Sequence, residues 1–211
     1  MKKVITTLLA ASLLLLGTQA FAQVSFNAGY LNSTQSYENS KSVNSNGAFF
    51  GASFNLPVLG GFGIAPGIYY SLIANKNASG AKVFGVDVSN GSKFREHAVN
   101  VPVYLNWGAD LGVTRDSRFF VYGGPTLQYG LSSKTKLTGN IGTWSADSVL
   151  DSYEDDNQNR FNVYLGGGIG MQAGTLQITV GYDYGMMNLY KGDNAAQSHR
   201  SNLKIGLGFV F

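Results

Sequence analysis

The sequence predicts an all-β fold, an eight-stranded antiparallel up-and-down transmembrane β-barrel that follows an N-terminal signal peptide. Apolar residues alternate with polar or small residues in about eight segments, each close to the ~9–11 residues that a tilted membrane strand needs. The connections between these segments alternate between short and long. Only 13% of the residues are charged, whereas 28 are Gly, 12 are Tyr and 13 are Phe. This composition suits a barrel wall in lipid better than a surface in water.

The first 22 residues have the pattern of a secretory signal peptide. Residues 1–3 carry two lysines, an apolar run follows, and Ala20 and Ala22 form the small-x-small pattern of a cleavage site. We expect cleavage after Ala22, which makes Gln23 the first mature residue. The alternative is a membrane anchor, but the apolar run is shorter than the ~20 residues of a membrane-spanning helix.

The mature chain, residues 23–211, is expected to form one barrel domain. It contains no Cys, which excludes disulfides, thiolate metal sites and a lipid-attached cysteine. Loss of residues 1–22 removes two lysines and no acids, so the net charge falls from +3 to +1 and no nucleic-acid partner is expected. No second long apolar run follows. A membrane crossing therefore requires strands closed into a ring, which pairs every edge N–H and C=O in lipid.

Strands one to four each show an apolar residue at every second position, which in a strand places these residues on one face. We assign this face to the lipid. The four outward rows lie in residues 24–30, 48–56, 62–72 and 99–107.

Strands five to eight continue the same pattern in residues 121–131, 161–171, 176–184 and 201–211. The last strand shows it most clearly, because its apolar residues alternate with Asn, Lys and Gly and the chain ends on an aromatic residue. Its outward row is Leu203, Ile205, Leu207, Phe209 and Phe211.

Two features disturb the pattern. Pro66, Pro102 and Pro125 fall inside strands, and each removes a backbone donor from the ladder, so we expect bulges there. Phe119 and Phe120 are adjacent, which leaves the register of the fifth strand open.

The connections predict the orientation of the barrel. Short links follow strands two, four and six, at residues 58–61, 109–116 and 173–174. Long links rich in Asn, Ser, Gly and Lys follow strands one, three, five and seven, at residues 32–46, 74–95, 132–159 and 190–199. Short periplasmic turns and long external loops are the usual asymmetry, and an even strand count places both termini in the periplasm. We expect the long links to be solvated, mobile loops.

Aromatic residues cluster at the predicted strand ends, as in the two aromatic girdles of membrane barrels. The alternative is the aromatic core of a soluble β-sandwich. The periplasmic girdle would hold Phe54, Phe62, Trp107, Phe209 and Phe211, and the external girdle Tyr30, Tyr70, Tyr129, Phe161 and Tyr184.

The inward rows combine large rings with glycines, for example Tyr164 beside Gly166 and Gly168, and this predicts an interior filled by side chains. Asp183 and Lys204 also point inward, at similar heights on neighbouring strands. We expect an interior ion pair that sets the register of the last two strands, since a buried charge is costly unless paired. A proton or ion pathway is the alternative.

Two stretches could carry chemistry. Residues 199–202 (HRSN) resemble the His-x-Ser-Asn motif of the outer-membrane lipid A deacylases, in which a Glu on the following strand completes the catalytic set. Here no acid follows Ser201, Glu96 lies several strands away and Glu38 lies in a loop. The acidic stretch 147–156 could bind Ca²⁺, but it lacks the spacing of a calcium loop and is more simply a solvated loop. We therefore expect no catalytic residues, metal or cofactor.

Four stretches resemble the PorT-like family of small outer-membrane β-barrels, which we group with the OmpA- and OmpX-like barrels: 97–105 (HAVNVPVYL), 119–125 (FFVYGGP), 166–170 (GGGIG) and 182–189 (YDYGMMNL). The resemblance implies an eight-stranded barrel in the outer membrane of a Gram-negative bacterium, often labelled porin-like. Most members have no assigned function, and one branch serves protein secretion.

The last strand also resembles the signal that the barrel-assembly machinery reads, which implies this role for Leu207, Phe209 and Phe211. We expect a monomer in contact with outer-membrane lipid and lipopolysaccharide. Its role would be structural or interactive, with external loops that bind lipopolysaccharide or other partners. A narrow porin-like channel for small solutes is the alternative, and a lipid A-modifying enzyme is the third possibility.

Overall fold

A computed structural model describes residues 23–37, 40–83, 86–112, 117–141, 144–153, 158–189 and 198–211. Ala20 and Ala22 of the expected cleavage site lie outside these ranges, and Gln23 begins the first strand with an exposed side chain. The signal peptide and the domain boundary therefore stay predictions. Within the described ranges, no helix is long and apolar enough to cross a membrane.

The described chain forms nine β-strands. They are β1 (Gln23–Tyr37), β2 (Ser40–Pro57), β3 (Phe62–Val83), β4 (Val86–Asp110), β5 (Ser117–Ile141), β6 (Trp144–Asp151), β7 (Phe161–Ala173), β8 (Leu176–Gly185) and β9 (Ser198–Val210).

Eight of these strands close into a ring. Each pairs antiparallel with its neighbours in the order β4-β3-β2-β1-β9-β8-β7-β5, and pairing of β4 with β5 closes the circle. The predicted eight-stranded up-and-down barrel is confirmed. The strand β6 was not predicted. It pairs with the outer part of β5 and lies outside the ring, within the stretch 132–159 that we expected to be a loop.

The short links are confirmed as tight turns where the structure describes them. The β2–β3 turn needs left-handed backbone at Gly60 (φ +64°) and Gly61 (φ +81°), and the β7–β8 turn needs it at Gly174 (φ +59°). These turns share one end of the barrel with both ends of the described chain, and we call it the periplasmic end.

Most of the long links are strands rather than loops, which corrects our expectation. The β1–β2 ladder continues to Tyr37 opposite Ser40, and the β3–β4 ladder continues to Val83 opposite Val86. The sequence of these extensions is mostly polar, so no period-two pattern of apolar residues marks them. Their backbone hydrogen bonds simply continue a ladder that the barrel has already aligned.

The expected bulges at the prolines are wrong. The ladder omits residue pairs beside Pro66 and Pro102, but the register is the same on both sides of each gap. Pro125 pairs with Leu165 in an unbroken run. A lost donor costs one hydrogen bond, whereas a register shift would turn every later side chain to the wrong face. A bulge does occur at a different place, between His97 and Ala98 of β4 and the outer part of β5.

The outward rows form an exposed apolar belt, as predicted. Leu207 is 63% exposed and Phe50 is 59% exposed, and similar residues surround the ring. Aromatic pairs lie at the belt edges, such as Phe62 with Trp107 (ring centroids 6.5 Å apart). On β5, Phe120 faces the lumen and Phe119 does not, which resolves the register that the sequence left open.

Candidate functional site: the barrel lumen

The lumen is lined by rings that pack against glycines. A Cβ atom on Gly170 would collide with the Phe120 ring, and one on Gly181 would collide with the Tyr122 hydroxyl. Tyr104 and Tyr122 pack together with their ring centroids 5.1 Å apart. Because glycine alone leaves space for these rings, the inward packing follows the pattern expected from the sequence.

The external end of the lumen is closed by a buried ion pair. Arg200 Nη1 of β9 donates to Glu96 Oε1 of β4 at 2.5 Å, and the two side chains are only 4% and 1% exposed. The two strands lie four places apart in the ring of eight, so the pair spans the lumen from wall to wall. Polar and apolar side chains complete this layer. The largest fully buried side chains of the described residues are Tyr164, Ile73, Glu96, Asn162, Thr126, Ser133 and Ser198.

Sequence reasoning missed this pair. Arg200 lies two residues from the inward Asn202, and Glu96 lies four residues from the inward Asn100, so the period of two already places both charges on inward rows. Opposite charges on two inward rows were the available signal. The partner was hidden, because 104 residues separate the two charges in the chain.

The structure brings Asp183 and Lys204 together. Lys204 Nζ of β9 contacts Asp183 Oδ2 of β8, and their side chains are 23% and 4% exposed. The two residues are diagonal neighbours, since Asp183 lies opposite Asn202. The Tyr104 hydroxyl donates to Asp183 Oδ1 at 3.5 Å. This pair lies along the wall, and its role in setting the strand register stays a prediction.

A cavity of about 120 Å³ occupies the lumen beside Lys204. At ~30 Å³ per water in the liquid, the cavity can hold roughly four waters. The expectation of a filled interior therefore describes the external layer around Glu96 and Arg200, whereas this cavity extends from the periplasmic rim at Gln23 and Arg118 to Asn100 and Gln128, beside the external girdle. Its walls combine amides, hydroxyls and rings, among them Asn27, Tyr69, Tyr104, Tyr122, Thr179 and Asn202.

The cavity leads toward the periplasmic end. A second cavity of about 340 Å³ lies at that rim, and Gln23, Arg118 and Gln172 line both. Arg118 lies at the neck between them, where its Nη2 donates to Gly61 O at 3.0 Å and to Asn106 Oδ1 at 3.3 Å. The lumen is therefore closed at its external end and narrowed at its periplasmic end by Arg118.

The deacylase-like residues lie on the outer wall. The His199 ring stacks on Tyr184 (centroids 5.9 Å apart, planes at 19°), and its Nδ1 lies 3.2 Å from Gly185 O. In the described part of the chain, no carboxylate is hydrogen-bonded to His199, and Glu96 is held inside by Arg200.

Part of the acidic stretch 147–156 lies within the described residues. Residues 154–157 lie outside the described ranges, and the Asp151 carboxylate on β6 accepts a hydrogen bond from the Tyr153 backbone N–H at 3.1 Å. Tyr153 is packed against Gly130, and this burial raises the pKa of its phenol. Among the residues that are described, no group of three or more His, Cys, Asp or Glu could hold a metal ion.

The expected assembly residues Leu207, Phe209 and Phe211 all project outward into the belt. Phe211 also closes the seam between the first and last strands, because its backbone exchanges two hydrogen bonds with Val24 at 2.8 and 3.0 Å. Its ring meets Phe26 edge-on at 6.2 Å. Their recognition during assembly stays a prediction.

Comparison with known proteins gives one family and several similar structures. A family model described as outer membrane protein beta-barrel domain matches residues 17–191. The Neisserial surface protein A structure is 13% identical, with 89% of this chain and 97% of that chain covered and a TM-score of 0.44. The attachment invasion locus protein Ail of Yersinia pestis is 13% identical (90% and 99% covered, TM-score 0.42), and the outer membrane enzyme PagL is 9% identical (89% and 98%, 0.42). No curated protein matches the sequence.

Proposed function

This chain belongs to the outer membrane protein beta-barrel domain family and is an integral protein of the outer membrane, and from this premise we propose that it has a structural or interaction role rather than a transport role. Its finer placement among the PorT-like, OmpA- and OmpX-like barrels rests on the motifs quoted above. We propose that it is a monomer and not an enzyme, with external strands that contact lipopolysaccharide or other external partners.

The observation that carries this proposal is the closed external layer. A solute that crosses the barrel would have to displace the Glu96–Arg200 pair, which spans the lumen, together with the buried Tyr164 beneath it. The Tyr164 hydroxyl donates to Gln128 at 3.0 Å, and Gln128 in turn donates to Asn100 at 2.9 Å. Displacement would therefore break a connected hydrogen-bond network as well as one ion pair.

Single-channel recording of the folded protein in a planar bilayer tests the proposal. We expect no regular current steps from the native barrel. Its fold is verified beforehand by heat-modifiable mobility in gel electrophoresis. Regular, reproducible steps at neutral pH would overturn the proposal and favour the narrow channel for small solutes.

The channel has one observation in its favour, which is the cavity of about 120 Å³ that extends into the lumen from the periplasmic rim. If current steps occur, this cavity would form part of the conducting path and the Glu96–Arg200 layer would have to act as a gate. The lipid A-modifying enzyme has less support, because His199 and Ser201 are not joined by an acid in the described residues. Mass spectrometry of lipid A from cells with and without the protein should show the same acyl chains.

We propose that the barrel-assembly machinery recognises the last strand. Deletion of Phe211 removes two seam hydrogen bonds and an exposed aromatic ring at the end of that strand. The assembled, heat-modifiable fraction in the outer membrane should fall. A matched substitution, Phe62→Ala in the same belt, should reduce this fraction less. Equal fractions in both variants would contradict recognition of the terminal residue.

A further inference from the structure

Positively charged residues form a row across three neighbouring strands, where these strands extend beyond the external end of the barrel. Lys76 of β3 lies directly opposite Lys93 of β4, and Lys93 lies directly opposite Lys136 of β5. Two residues nearer the barrel, Arg95 lies directly opposite Lys134. All five side chains are exposed.

These five cations share one face. Direct partners in an antiparallel ladder point to the same side, as do residues two apart in a strand. Glu96 and Ser133, the neighbours of Arg95 and Lys134, are buried inside the lumen at 1% and 0% exposure. The cations therefore point outward, toward the lipid that surrounds the barrel.

The bulge in β5 produces this arrangement. Below it, Thr126, Gln128 and Gly130 face the lumen, so an unbroken strand would also turn Lys134 and Lys136 inward. The β4–β5 register instead jumps from Ala98 opposite Gly130 to His97 opposite Ser132. The extra residue reverses the alternation, which moves both lysines to the outer face.

The cations lie above the external aromatic girdle. Tyr70 and Tyr129 flank Val99 in one row of the girdle. Arg95 is four residues and Lys93 six residues further out on the same strand. At a rise of ~3.3 Å per residue and a tilt of ~40°, these positions lie about 10 and 15 Å above the girdle. The head-group layer is about 5–8 Å thick on each side of the hydrocarbon core, so these backbone positions lie just beyond it, and the long Arg and Lys side chains can reach back toward it.

Among residues whose side chains are described, positive charge predominates on this face: five cations share it with the Asp151 carboxylate, which lies opposite Lys134. Lys76 and Lys93 lie directly opposite each other. Like charges in such a pair repel, so an anion over this pair would stabilise the ladder.

The adjacent β1–β2 ladder is neutral where it leaves the girdle. Tyr30 and Asn32 both donate to Asn46 Oδ1, at 2.6 and 2.9 Å, and Thr34 donates to Asn44 Oδ1 at 2.7 Å. Its lysine, Lys41, lies near the hairpin tip. The contrast between these neighbouring ladders means that an anion would be held over β3, β4 and β5.

We propose that the cationic face (Lys76, Lys93, Arg95, Lys134 and Lys136) binds the phosphate groups of lipopolysaccharide in the surrounding outer leaflet. The proposal rests on the outer-membrane part of the proposed function, and it does not depend on whether the lumen conducts. Charge sign, outward direction and height all match a phosphorylated glycolipid. Ammonium and guanidinium groups recognise phosphate through charge-assisted hydrogen bonds.

The test measures binding of fluorescent, deep-rough lipopolysaccharide to the full-length mature protein folded in a zwitterionic detergent. Lys93→Gln should weaken this binding about fivefold, the effect of one cation near an anionic lipid surface. The matched control is Lys41→Gln, an exposed lysine near the tip of the β1–β2 hairpin and outside the cationic face, and its binding should equal that of the native protein. Lipopolysaccharide stripped of its phosphates should bind the native protein and Lys93→Gln equally weakly.

Stability provides a second readout that separates binding from misfolding. Without lipopolysaccharide, Lys93→Gln should unfold at the same or a higher urea concentration than the native protein, because it removes repulsion. Equal binding by Lys93→Gln and Lys41→Gln, or full binding of the dephosphorylated lipid, would overturn the proposal. Equal affinity for phosphatidylglycerol would also overturn it, since any anionic lipid would then suffice. Current steps in the bilayer experiment would contradict the closed barrel alone and leave this result intact.

Discussion

Two levels of the lumen hold the same chemistry in different surroundings. At the external end, Glu96 and Arg200 join opposite walls and are 1% and 4% exposed. One layer nearer the periplasm, at the level of the external girdle, Asp183 and Lys204 join neighbouring strands, and Lys204 is 23% exposed beside a cavity. The first pair closes the barrel and has lost its water, whereas the second keeps part of its solvation. Location in the ring therefore decides what an interior ion pair does.

The largest effect should come from breaking the external pair. Arg200→Met leaves the Glu96 carboxylate buried without its partner, and the free energy of unfolding should fall by about 3–5 kcal/mol. Urea unfolding in lipid vesicles, followed by tryptophan fluorescence, measures the loss. The double variant Glu96→Gln/Arg200→Met leaves no buried charge and should recover most of it. A loss below about 1 kcal/mol in the single variant would remove the argument that the pair is desolvated.

Conductance measurements should distinguish the two ion pairs more clearly than stability does. Glu96→Ala/Arg200→Ala removes the contact that spans the lumen, so small, regular current steps should appear in planar bilayers. Asp183→Ala/Lys204→Ala truncates a pair along the wall and should stay silent, because the external layer remains. If the second variant conducts and the first does not, the Glu96–Arg200 pair is not the contact that closes the lumen.

A smaller loss of stability is expected at the inner pair. Asp183→Asn leaves Lys204 with partial access to the cavity, so the free energy of unfolding should fall by about 2 kcal/mol, between the values for buried and exposed pairs. The same vesicle unfolding experiment gives a direct comparison with Arg200→Met. A loss as large as that of Arg200→Met would mean that the cavity does not solvate Lys204.

The mildest test uses the absence of cysteine from the chain. Thr179→Cys faces the cavity and should react with a small charged thiol reagent that enters from the periplasmic side. Ser133→Cys lies in the external layer at 0% exposure and should stay unreacted in the folded barrel. Labelling rates followed by mass spectrometry measure the difference. Equal labelling rates at both positions would contradict a lumen that is closed at its external end and accessible from the periplasmic end.

The sequence could predict the ion pair between neighbouring strands, but not the ion pair across the lumen. The inward direction of Lys204 and Asp183 follows from the period of two, and their strands are neighbours in sequence, so the pair could be proposed. Arg200 and Glu96 also lie on inward rows, but their contact depends on how the whole ring closes. The cavity likewise depends on how rings from several strands fill the lumen, which no single strand reveals.

The external extensions illustrate a different limit. Residues 75–83 and 86–94 pair with each other beyond the barrel, although they show no apolar alternation. Inside the membrane, lipid on one face and packing on the other impose the alternating pattern from which strands can be predicted in the sequence. Outside it, water lies on both faces, and only the ladder itself keeps the strands extended.

The sequence by itself determined which residues face lipid, because apolar side chains at every second position have no other favourable environment in a membrane. It also determined the eight strands of the ring and the order in which they follow one another. Only the tertiary structure decided the register changes and the contacts between distant strands. The bulge beside His97 turns Lys134 and Lys136 outward, and closure of the ring brings Arg200 to Glu96. Both depend on the summed alignment of all strand pairs, a property of the closed barrel that no local stretch of the chain contains.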